Sequence, residues 1–130
     1  MNTELTYLTW TTILTGVLWV PYVLDRFATQ GISDTVGYPD SPNPQSPWAR
    51  RLMKAHTNGV ENLVVFAALV LAAQAAGVSN SVTAVACVVF FWARLAHAVV
   101  YAFAIPWLRT LAFLVGFGAQ AVIAWQLLVG

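Results

Sequence analysis

Two short runs of polar residues stand where the chain is otherwise apolar. The first holds Arg50, Arg51, Lys54, Asn58 and Glu61, and the second holds Arg94, His97 and Tyr101. A helix advances about 100° per residue, so Arg50, Lys54, Asn58 and Glu61 share an arc of roughly 80°. Arg51 and Asn62 flank that arc, and His56 falls on the far side. On the same wheel Arg94, His97 and Tyr101 lie within roughly 60° of one another. Charged and amide groups are expensive near lipid unless they face a bundle interior, so these stripes are expected to turn inward and to mark a functional site. Arg50, Arg51, Lys54 and Arg109 add four cations at one end, beside an imidazole and a phenol. That set suits an anionic, carboxylate-bearing ligand. Glu61 and Arg94 carry opposite charge at membrane depth, and a mutual ion pair is the cheapest way to keep both. Such a pair could equally be structural, fixing helix register.

The elements that position these residues follow from hydropathy. The chain has 130 residues, of which 59% are hydrophobic and 8% charged. Soluble domains carry about 25% charged residues, so this chain has too little polar surface for water. Segments of about 17–25 apolar residues can cross a bilayer as helices. Four are expected, over about 5–24, 60–76, 82–104 and 110–129, forming one domain over 1–130. The fold class is all-α, an integral membrane four-helix bundle with both termini on one side. Pro21 is expected to kink the end of the first span. Between the first two spans, residues 30–48 carry Pro39, Pro42, Pro44, Pro47, Gly31, Gly37, Asp34 and Asp40, which is loop chemistry. Arg26, Arg50, Arg51, Lys54 and Arg109 all fall on the side of that loop, which Lys/Arg bias places in the cytoplasm. Trp19, Tyr22, Trp48 and Trp107 sit near span ends, as interfacial aromatics do. The net charge of +1 makes no case for a nucleic-acid partner. No metal centre is expected. The single Cys87 lies in an apolar run and reads as a small buried hydrophobe. No basic n-region precedes the first apolar run, so a cleaved signal peptide is not expected.

Through these two stripes the chain resembles the MAPEG family, the membrane-associated proteins of eicosanoid and glutathione metabolism, as a bacterial-type member. The family's second helix carries a pattern of the type Arg-x-x-Arg-Ala-His-x-Asn-x-x-Glu. Arg51, Lys54, Ala55, His56, Asn58 and Glu61 match it, with Lys54 in place of Arg. The third-helix pattern Arg-x-x-His-x-x-x-Tyr is matched by Arg94, His97 and Tyr101. Pro106, Arg109 and Thr110 resemble the turn that opens the family's fourth helix. The resemblance spans the whole chain. It implies a homotrimer in a bacterial inner membrane, with glutathione as co-substrate at subunit interfaces open to the cytoplasm. By resemblance, Arg51, Lys54, Asn58 and Glu61 hold the tripeptide, His97 completes the pocket, and Arg109 and Tyr101 act on the sulfur. Arg26, just past the first helix, resembles the family's first-helix arginine, which implies a further glutathione-binding residue. Thr57 and Lys54 depart from the pattern, and Lys54 lacks the bidentate fork of Arg.

A thiol is a poor nucleophile until ionised. A cation beside it favours thiolate, and a tyrosine hydroxyl could donate to it. The expected activity is therefore that of a membrane glutathione transferase or peroxidase acting on lipophilic electrophiles or hydroperoxides that arrive from the lipid bilayer. The competing reading is a non-enzymatic lipid- or metabolite-binding scaffold, since a family does not fix a function. A transporter is disfavoured, because the polar residues cluster at one end and no broken half-helices lie at the midplane. Gly116 and Gly118 with Ala112 and Ala119 offer a small-residue surface on the fourth helix for close packing between copies.

Overall fold

The computed structural model describes residues 1–39 and 43–130. Asp40 and Pro42, read above as loop residues, lie outside the described residues. Helices α1 (Thr3–Val17) and α2 (Trp19–Gln30) make up the first span, followed by the short α3 (Ile32–Val36). Helices α4 (Pro47–Ala75), α5 (Ser81–Ala102) and α6 (Pro106–Val129) are the other three. The result is an all-α membrane four-helix bundle, with four units among the described residues long and apolar enough to cross a bilayer.

Local chemistry sets the helix ends. Asn2 Oδ1 caps α1 by accepting from the Leu5 amide at 2.9 Å. Asn80 and Thr83 form a capping box at the start of α5. Pro47 and Pro106 open α4 and α6, where a missing N–H is harmless. At Leu18, between α1 and α2 and three residues before Pro21, the helix is interrupted while the backbone stays helical, with φ −64° and ψ −20°. Pro21 has no N–H to give the Val17 carbonyl four residues back. The helix nonetheless resumes to Gln30, beyond the expected end near residue 24.

Both tight turns at helix C-termini use the left-handed region. After α4, Gly77 has φ +74°, with Val78 N–H donating to Ala73 O at 2.8 Å. After α5 the same wrap is made by Ala104 at φ +60°, with Ile105 N–H donating to Val100 O at 2.9 Å. An alanine there is strained by about 1–2 kcal/mol. The strained turn sits directly beside the polar cleft described below.

The core lies between α4, α5 and α6. Phe66 and Phe90 stack with centroids 3.9 Å apart, and both are fully buried. Val70, Ala86, Cys87, Ala119 and Ile123 close around them. A Cβ at Gly116 would stand 3.7 Å from the Phe90 ring, an ordinary van der Waals contact on the α5-facing side of α6. The small residues of α6 thus divide between faces. Gly116 and Ala119 are buried inside the protomer. Gly118 opens onto an apolar groove of about 580 Å³ bounded by Val82, Val85, Val115 and Val122. At the end remote from the cations, Glu4 is buried and accepts from Ser79 Oγ at 2.8 Å and Thr83 Oγ1 at 2.7 Å, tying α1 to the α4–α5 turn.

Candidate functional site

Helix α4 has 29 residues, about 43 Å at 1.5 Å per residue, against a hydrocarbon core of about 30 Å. Its first turns therefore project past the membrane and carry Arg50, Arg51 and Lys54 there. The inner face of α4 is set by Leu52, Ala55, Gly59, Phe66, Val70 and Ala73, all buried. Arg50, Lys54 and Glu61 lie on the opposite side and are exposed. The expectation that both stripes turn inward holds for α5, whose Arg94 and His97 are buried, and fails for α4. The cause is packing: the small and apolar side of α4 is the one that fits α5.

The same rotation separates Glu61 from Arg94. Gly59 is the α4 residue that faces Arg94, and a Cβ there would stand 3.6 Å from Arg94 Nη2. Glu61, two residues on, points about 200° away. Arg94 instead has its Nη2 3.3 Å from Nδ1 of His97. Within the described protomer the expected Glu61–Arg94 ion pair is therefore not formed.

Three adjoining cavities meet at Tyr101. One of about 470 Å³ runs along α4 between Met53, Lys54, Thr57, Asn58 and Glu61. One of about 230 Å³ lies under the α5–α6 turn between Arg51, Ala104, Ile105, Pro106 and Arg109. The third, about 210 Å³, is a chamber between helices lined by Asn58, His97, Arg109, Thr110 and Phe113. The Arg109 guanidinium stands 4.7 Å over the Tyr101 ring, a cation–π contact that brings the two groups together. His97 meets the same ring edge-on at 5.5 Å. Arg51 donates Nε–H to Ala102 O at 3.0 Å, which ties the start of α4 to the end of α5. Its terminal nitrogens remain for the cavity. Asn58 Oδ1 lies 3.3 Å from Asn62 Nδ2, and the Asn62 carbonyl accepts from Gln120 of α6 at 3.1 Å.

Arg51, Lys54, Asn58, Glu61, His97, Tyr101 and Arg109 thus share one polar cleft, with cations at its rim and Phe113 as an apolar wall. The family model of the MAPEG family matches residues 7–129. The chain belongs to the MAPEG family. No curated protein and no solved structure matches it. As a MAPEG protein it is an integral, multi-pass membrane protein of the family of glutathione and eicosanoid metabolism.

Two residues of the MAPEG patterns lie elsewhere. Arg26 lines a separate cavity of about 250 Å³ with Gln30, Asp34 and Thr35, away from the Tyr101 cleft. Gly37, Tyr38 and Pro39, just after α3, line the same cavity. His56 points to the other side of α4, where its Nδ1 lies 2.8 Å from the Tyr22 hydroxyl. That contact helps dock α2. Phe113 and Ile105 border the cleft without having been singled out from sequence, because an apolar residue in an apolar helix carries no signal. Thr110 was visible only through the family pattern.

Proposed function

We propose that this MAPEG protein is a membrane glutathione transferase or peroxidase, acting on lipophilic electrophiles or hydroperoxides through a glutathione thiolate. The observation that carries the reading is the Arg109 guanidinium held over the Tyr101 ring where the three cavities meet. A sulfur in the small chamber would have a cation on one side and a phenol hydroxyl within reach. Both favour the ionised form. Arg51 and Lys54, at the two larger cavities, suit the tripeptide's carboxylates. Asn58 and Glu61 suit its amide and amine. A cavity of about 470 Å³ is in the range of small-molecule sites.

Assembly follows from the same stripe. Lys54 and Glu61 stand exposed on a spanning helix, and Glu61 is at its midpoint. A carboxylate facing lipid is unfavourable, whereas a neighbouring copy would cover it. This supports a homotrimer with the cleft walled by a second subunit, and a cytoplasmic long loop by the Lys/Arg bias. A scaffold without turnover is the second reading, favoured by the apolar α5–α6 groove, which has room for a lipid chain. The test is turnover of an aryl halide and of a lipid hydroperoxide by the protein in lipid nanodiscs with glutathione. Catalysis of either above the rate of free glutathione supports the enzyme. Lipid capture with neither turnover favours the scaffold.

A further inference from the structure

An imidazole beside a nucleophile is ordinarily read as its general base. The surroundings of His97 argue otherwise. His97 is 3% exposed and Arg94 is 6% exposed. Arg94 Nη2 lies 3.3 Å from His97 Nδ1. A guanidinium has only donors and keeps its proton in proteins, so this contact is a hydrogen bond only if Nδ1 offers a lone pair. The ring proton is then on Nε2. Nε2 has no protein partner among the described residues, so its proton is free for a ligand, and His97 is one of the residues that line the chamber. The charged groups facing His97 are Arg94 on its own helix and Arg109 from α6, both cations. From α4 the chamber receives Asn58, and its lining contains no carboxylate. A second proton on His97 would set an N–H against the buried Arg94 guanidinium, with like charges in contact.

We propose that Arg94 is a positioning residue that fixes His97 as a neutral Nε2–H donor, and that the thiol's proton leaves to solvent, not to a side-chain base. The inference rests on the thiolate reading above. The step is an ionisation: the S–H bond breaks, sulfur keeps the electron pair, and water takes the proton. The anion left behind is held by Arg109, Tyr101 and the His97 Nε2–H. This accounts for a buried arginine that has no carboxylate partner among the described residues: its work is to decide which face of the imidazole donates.

Two measurements test this on the full-length protein in lipid. The first is the long-range 15N–1H correlation spectrum of the imidazoles without glutathione. The chain has two histidines, so a His56→Gln variant assigns the His97 ring. The expected pattern near neutral pH is the Nε2–H tautomer. Arg94→Met should give mixed tautomers, and Arg94→Lys, which restores a donor, should recover the single form. An Nδ1–H or imidazolium pattern in the unsubstituted protein overturns the proposal and needs no variant to fold. The second measurement mixes protein and glutathione in weak buffer with a pH indicator. One proton should appear in solvent for each thiolate formed. A thiolate band with no proton released means that a protein base kept it, which also overturns the proposal. Absence of any thiolate refutes the proposed function instead, and the spectrum alone then decides the tautomer.

Discussion

Replacing Arg109 with Gln keeps a planar polar group above the Tyr101 ring and removes one charge. A sulfur in the adjoining chamber would touch the guanidinium at about 4 Å. Two unit charges at that distance attract by about 4 kcal/mol at an effective dielectric of 20, and by about 1 kcal/mol in water. Arg109 is exposed in the protomer, so solvent screening pulls the value down from the upper figure. At 1.36 kcal/mol per unit, the bound thiol should ionise about one to three pH units below an ordinary thiol near 8.5. The sign follows directly: the cation favours the anion, so the pKa falls and thiolate persists to lower pH. In Arg109→Gln the midpoint should move back up by at least about one unit. Turnover at neutral pH and saturating glutathione should drop about tenfold or more, since thiolate carries the reaction. Raising the pH should recover most of that loss, because the missing factor is ionisation. The assay is the near-ultraviolet thiolate absorbance of the complex across pH, with turnover measured in parallel. An unmoved midpoint in Arg109→Gln refutes the electrostatic reasoning, even if activity is lost.

Three further outcomes are expected. Glu61→Gln should leave the thermal stability of the ligand-free protein nearly unchanged when measured at a fixed oligomeric state, because Glu61 is exposed and Arg94 contacts His97 in its place. It should weaken glutathione binding about tenfold or more by calorimetry, as loss of a charged hydrogen bond does. Ala104→Gly should raise stability by about 1 kcal/mol in detergent unfolding, since glycine relieves the left-handed strain at φ +60°. A destabilised variant would show that the alanine methyl packs more than it strains. Glu4→Ala should cost about 1–3 kcal/mol by removing the two charge-assisted hydrogen bonds that tie α1 to Ser79 and Thr83, while glutathione affinity, set at the other end, stays the same.

What the sequence makes legible here is what depends on hydropathy and helical period. The four spans, the two stripes and the gathering of Arg51, Lys54, Asn58, His97, Tyr101 and Arg109 all come from residue type and spacing. The rotation of α4 does not. A charged stripe reads as inward-facing if one protomer must bury it, yet the side with Leu52, Ala55 and Gly59 packs better against α5. That single rotation moves Glu61 out and brings Gly59 opposite Arg94. The start of α4 also escaped the hydropathy reading, because its first turns are polar and stand clear of the lipid. Arg26 reads as a ligand residue only through its resemblance to the family's first-helix arginine. In the protomer it shares a separate cavity with Gln30, Asp34 and Thr35. The tie of Glu4 to Ser79 and Thr83 joins residues 75 or more positions apart, a pairing that no local pattern encodes.

The central claim is that the Tyr101 cleft holds glutathione with its sulfur beside Arg109. The most direct measurement is a structure of the protein in lipid with glutathione or an unreactive S-alkyl analogue bound. The account predicts the sulfur against the Arg109 guanidinium and the Tyr101 hydroxyl, with the tripeptide's carboxylates on Arg51 and Lys54. A tripeptide bound elsewhere, or one in the cleft with its sulfur turned away from Arg109, would contradict it.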